Sequence, residues 1–148
     1  MKPDINVALL NAAQEIINRF SPLIDDEYEK SRLSSWGALI LISAMKFNDS
    51  GSSLKQENAD ILDWLLKFTS LDEDDISKYG YKATSDIQDV SLMDADNQTL
   101  RGLLDREIVV LEGNGDTDAL KASYLLMRSM HQRRKVSDLI GLLQESES

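Results

Sequence analysis

The chain reads as all-α. Three observations carry that reading. Apolar residues recur every three or four positions through most of the sequence, capping patterns precede several of these runs, and no pair of alternating runs flanks a hairpin turn. The 148 residues suit a single domain, 1–148: one compact bundle of about six or seven helices, with a frayed tail at 144–148. At 42% hydrophobic residues the chain can bury enough surface to fold.

Pro3 and Asp4 open a helix over 4–20, with Leu9, Ala13, Ile16 and Phe20 at helical spacing and Pro22 at its end. A second helix spans 24–47. Its first half pairs Asp26 with Lys30 and Glu29 with Arg32. Its second half is apolar all round: Trp36, Leu39, Ile40, Leu41, Ile42, Met45 and Phe47. A helix apolar on every face should be enclosed by others, so 36–47 is predicted to be the buried centre, with Gly37 allowing close helix contact. Lys46 interrupts this run after ten residues, and a bilayer needs roughly 20. With no apolar signal core at the N-terminus, the expectation is a cytoplasmic protein without membrane association.

Ser53 with Gln56 forms a capping box for a third helix bearing Ile61, Trp64, Leu65 and Phe68 on one face. Ser70 with Glu73 repeats the pattern ahead of a short helix that Gly80 closes near Tyr79. Residues 80–96 give the weakest signal, with Ser85 and Gln88 the one further capping pair. Asp96 reads as the cap of a helix over 97–112 whose Leu100, Leu103, Leu104, Ile108 and Leu111 face inward, although Ile108-Val109-Val110 is strand-like. Gly113 and Gly115 end it. A helix over 117–133 follows, with Leu120, Tyr124, Met127 and His131 on one stripe. Val136, Leu139, Ile140 and Leu143 make a last short helix.

The net charge of −10 is unevenly placed. Residues 72–118 carry thirteen Asp/Glu against four Lys/Arg, leaving −9 there and −1 elsewhere. Such a field repels phosphate backbones, so nucleic acid is not expected as a partner, and it favours basic proteins or cations. Cysteine is absent, which excludes disulfides, thiolate metal sites and a Cys nucleophile. His131 is the single histidine. No nucleophile elbow or second histidine accompanies it, so it reads as a partly buried structural residue. Trp36 and Trp64 read as core.

Asp72-Glu73-Asp74-Asp75 is the densest acidic run, and Tyr79 and Tyr81 follow it. Tyrosines beside a charged patch suit a protein interface. Acids in the first turn of a helix also suit the helix dipole without any partner. The leading expectation is a small interaction protein of adaptor, inhibitor or immunity type, without a cofactor. It would meet a basic protein partner through 72–118, with Asp72, Glu73, Asp74, Asp75, Tyr79 and Tyr81 at the contact. A second copy of the chain is a further candidate partner, because residues 119–137 carry five Lys/Arg and no acid, although these charges could equally pair with the acidic middle within one subunit. Catalysis by carboxylates is the remote third reading.

Residues 47–57, FNDSGSSLKQE, hold small oxygen-bearing side chains around a glycine. With Gly51 at the sixth position of a calcium loop, Glu57 falls at the twelfth, but Lys46 takes the first, so this is not an EF-hand. An apolar helix ending in small residues, an acidic glycine loop and a helix with an early glutamate together resemble the bacterial tellurite-resistance TerB-like domains. The resemblance covers about 38–75, with an echo at 100–130 around Gly113-Asn114-Gly115-Asp116. In place of the family's Ala-Asp-Gly stands Phe47-Asn48-Asp49-Ser50-Gly51. The resemblance implies a divalent-cation site (Ca²⁺, Mg²⁺ or Zn²⁺) at Asn48, Asp49 and Glu57, and in the echo at Asp116 and Asp118. A solvated turn with helix caps is the alternative reading of the same residues.

Overall fold

Every regular element is helical in the computed structural model, which describes residues 5–47, 49–86 and 89–136. The all-α expectation holds. The single domain does not emerge as such: the described residues divide into two compact units. One runs to Asp49 and includes 135–136, and the other is Ser50–Arg134. No helix among the described residues is long and apolar enough to cross a membrane.

In the first unit, α1 (Ile5–Glu15) continues into a π-helical turn (Ile16–Phe20) and a 3₁₀ turn (Ser21–Leu23). Pro22 has no N–H to extend the ladder, and Ile24 turns extended. The second helix, α2 (Glu27–Phe47), starts behind Asp26, whose carboxylate accepts from the Glu29 N–H at 2.9 Å. Buried Ser21 ties the turn to α2, donating to the Lys30 carbonyl and sharing a 2.5 Å hydrogen bond with Ser34. Gly37 provides the close contact expected of it. A Cβ there would lie 2.6 Å from Ile17 Cγ1 and 3.0 Å from Ile16 Cγ2.

The apolar half of α2 is not the buried centre. Trp36 is 58% exposed, Leu39 56% and Phe47 50%, and only Gly37 and Ala44 of this helix are buried. Being apolar on all sides would call for neighbours on all sides, and among the described residues α1 and the two turns after it are the elements that chiefly pack against α2. Trp36 is therefore not a core residue.

The second unit contains α3 (Ser50–Phe68), α4 (Glu73–Lys78), α5 (Val90–Asn114) and α6 (Thr117–Arg134). Its core joins Ile61, Trp64 and Leu65 of α3, Ile76 of α4, Leu100, Leu103, Leu104 and Leu111 of α5, and Ala119 and Met130 of α6. These are the inward positions expected for α3 and α5, with Phe68 and Ile108 packed at the margin. Each fully buried Leu or Ile contributes about 1.5–3 kcal/mol. The strand-like run at 108–110 is helical, with Val109 and Val110 on the outer face.

Several boundaries shift. Helix α3 begins at Ser50, so Ser53 lies inside it and the expected loop at 47–57 is helical from Ser50 onward. Asp72, not Ser70, caps α4, accepting from the Asp75 N–H at 2.8 Å. Helix α5 begins at Val90, which places Asp96 in its second turn instead of at its cap. Gly115, at φ +70°, ends α5 in the left-handed conformation, and the Gly115 and Asp116 N–H groups close onto Glu112 and Leu111. On α6 the buried face is Ala119, Ser123 and Met130; Tyr124 and His131 are exposed, against expectation. Most of the short helix expected from Val136 to Leu143, the frayed tail at 144–148 and Gln88 of the 85–88 pair lie outside the described residues.

Candidate functional site

The second unit carries a polar junction inside its core. Glu57 and Asn58 of α3 and Asp96 and Asn97 of α5 are all at least 95% buried. Each lies on the stripe that carries the apolar core: Glu57 and Asn58 one turn before Ile61, Asp96 and Asn97 one turn before Leu100. Buried polar groups cost several kcal/mol unless paired, and here they pair with one another. Asn97 Nδ2 donates to Glu57 Oε1 at 3.0 Å and to Asn58 Oδ1 at 2.9 Å, using both amide hydrogens. Asn58 Nδ2 donates to the Met93 carbonyl at 2.9 Å.

Helix α6 closes the junction with its last turn. Arg134 donates from Nη2 to Glu57 Oε1 at 2.5 Å and to Asn97 Oδ1 at 3.0 Å, and from Nε to Glu57 Oε2 at 3.3 Å. Arg133 pairs with Asp60, one turn further along α3. Three helices are thus fastened by charge as well as by apolar packing. The signal for this was present in the sequence: acid–amide pairs at stripe positions on two helices, and an arginine pair continuing the stripe of the third.

Asp96 does separate work. Its Oδ1 and Oδ2 accept from the Lys82 and Thr84 N–H groups at 2.8 and 2.7 Å. Between them, Ala83 sits at φ +53°, a left-handed conformation unfavourable for an L residue with a side chain. The carboxylate therefore clamps the segment after α4 onto α5.

The acidic run forms the start of α4. Glu73, Asp74 and Asp75 occupy its first turn, behind the Asp72 cap. The hydrogen bond from Lys78, at 2.7 Å, holds the Asp75 carboxyl below the usual range, with the Asp72 backbone bond adding to it. Tyr79 follows half-exposed, with the Arg106 guanidinium 4.6 Å from its ring centre. Tyr81 differs from this group. It packs against the core, and burial pushes its phenol above the ordinary value, helped by the charges of Asp96 and Glu73. Five of the six residues expected at a partner contact are therefore carried by α4 and its caps, and the sixth turns inward.

The residues nominated for a divalent cation have other surroundings. Asn48 lies outside the described residues, and Asp49 is exposed at the end of the first unit. Glu57 is buried against Arg134 and Asn97. Asp116 caps α6, accepting from the Ala119 N–H at 3.1 Å, and Asp118 is exposed in the first turn of that helix. Among the described residues, no three acidic or histidine side chains converge where they could hold a metal ion. No protein-family model, no curated protein and no solved structure matches the chain.

Proposed function

We propose that the second unit is a protein-binding module whose acidic face meets a basic surface on its partner. One observation carries this reading. Glu73, Asp74, Asp105, Glu112 and Asp118 are exposed, and none has a cation in ion-pairing range among the described residues. Of the thirteen carboxylates in 72–118, only Asp96 is buried, while Asp72 and Asp116 cap helices and Asp75 pairs with Lys78 at the surface. The remaining field of like charge works against compaction, and its use is outward: it steers a basic partner and rejects acidic ones. Helix α4 supports this role, because Ile76 anchors it while its acids and Tyr79 stay accessible.

The test is a pull-down from native extract at low and high salt, comparing the parent with Glu73→Lys/Asp74→Lys. These two positions leave the Asp72 cap and the Asp75–Lys78 pair in place. The expected result is a basic protein retained at low salt, released at high salt and lost with the double variant, through a slower association rate. Equal retention by the variant rejects the acidic face as the contact.

A further inference from the structure

The second unit also has a concave surface of the opposite sign. Arg101 of α5 and Met127, Met130, His131 and Arg134 of α6 line a groove of about 270 Å³. No carboxylate lines it. In a chain of net charge −10 this is a local exception: the Glu57 carboxylate behind the groove is paired with Arg134, and Arg101 adds a guanidinium that has no ion-pair partner among the described residues.

The three basic side chains are not equivalent. Arg134 is held from within: Nε and Nη2 are occupied by Glu57 and Asn97, which fixes the guanidinium plane. Its Nη1 has no partner among the described residues. Arg101 and His131 are exposed, and neither has a hydrogen-bond or ion-pair partner among the described residues. The groove therefore offers one pre-oriented guanidinium, one free guanidinium and an imidazole beside two thioether side chains. Planar guanidinium donors match oxyanions in geometry, and methionine adapts to irregular apolar shapes.

We propose that this groove binds a small organic oxyanion, a phosphate monoester or carboxylate whose apolar body lies on Met127 and Met130. Arg101 and Arg134 Nη1 hold the oxygens, and His131 supplies a further donor. The buried junction between α3, α5 and α6 positions Arg134 for this contact, so the polar core and the surface site form one construction.

Methionine ε-methyl NMR of the full chain tests it, with phenyl phosphate as the probe and sodium chloride at matched ionic strength as the control. The chain has five methionines, so Met45 and Met93 serve as internal references. Phenyl phosphate should shift the Met127 and Met130 methyls saturably and leave the references unmoved. Arg101→Gln and His131→Gln, at exposed positions with no partner among the described residues, should each weaken binding, by about tenfold for the arginine. Inorganic phosphate should bind about tenfold more weakly than phenyl phosphate, since it lacks the apolar body. Absence of a saturable shift, equal affinity in Arg101→Gln, or equal binding of the two probes would overturn the proposal.

Discussion

The Arg134 guanidinium holds the buried Glu57 carboxylate at both oxygens, with Nη2 2.5 Å from Oε1 and Nε 3.3 Å from Oε2. The two partners are unequally placed, since the glutamate side chain is 3% exposed and the arginine side chain 47%. Losing the arginine therefore costs more than losing both. Arg134→Met should destabilise the second unit by about 3 kcal/mol, because it strands a buried charge. Glu57→Gln/Arg134→Met should recover much of that loss, since no lone charge stays buried. Urea unfolding in a Trp36→Phe background checks this, as Trp64 is then the sole indole. A single variant within about 0.5 kcal/mol of the parent would show that the pair does not matter.

The same pair shows what the sequence revealed and what it hid. The apolar stripes of α3 and α5 were legible because Ile61, Trp64, Leu65, Leu100, Leu103 and Leu104 have no other reason to recur at helical spacing. Glu57, Asn58, Asp96 and Asn97 continue those stripes but are polar, and a polar residue is assigned to the surface by default. Only the other helices supply the partners that let them go inside. Helix α2 failed in the opposite sense, because all-round apolarity predicts a need for cover without showing what provides it. The acidic run was legible as a helix start. Its cap was displaced by two residues because Asp72 competes with Ser70 for the same task.

Gly37 marks a close approach between α2 and the turn after α1. Gly37→Ala places a methyl 2.6 Å from Ile17 Cγ1, so the turn after α1 must shift. The expected cost is about 1–3 kcal/mol, well above the gain in helix propensity. Adding Ile17→Ala should relieve the clash. A double-mutant cycle would then return a favourable coupling between the two sites. Additive effects would mean that the contact is not where the strain lies.

Asp96 should control the segment after α4. Asp96→Ala removes the acceptor for two N–H groups and should cost about 2–4 kcal/mol. Amide hydrogen exchange at Lys82 and Thr84 should accelerate more than at Leu103 in the core. Ala83→Gly, at the left-handed position between them, should stabilise the parent by about 1 kcal/mol. Slow exchange at Lys82 and Thr84 in Asp96→Ala would show that something other than this carboxylate holds the segment.

Tyr81 gives the unit an alkaline limit. Burial first, then the charges of Asp96 and Glu73, raise its folded-state phenol above the unfolded value of about 10. The folded chain therefore keeps this proton longer than the unfolded chain does. The stabilisation is fully present below the unfolded value and is lost as pH rises through the folded one. Tyr81→Phe should remove from the phenolate absorbance titration a component that lies above the ordinary tyrosine value. It should also flatten the fall in stability on the alkaline side. Glu73→Gln should bring that component only slightly down, because it removes the smallest of the three causes and leaves the burial and the Asp96 charge in place. A titration curve unchanged in position by Tyr81→Phe would show that the phenol ionises in water like any exposed tyrosine.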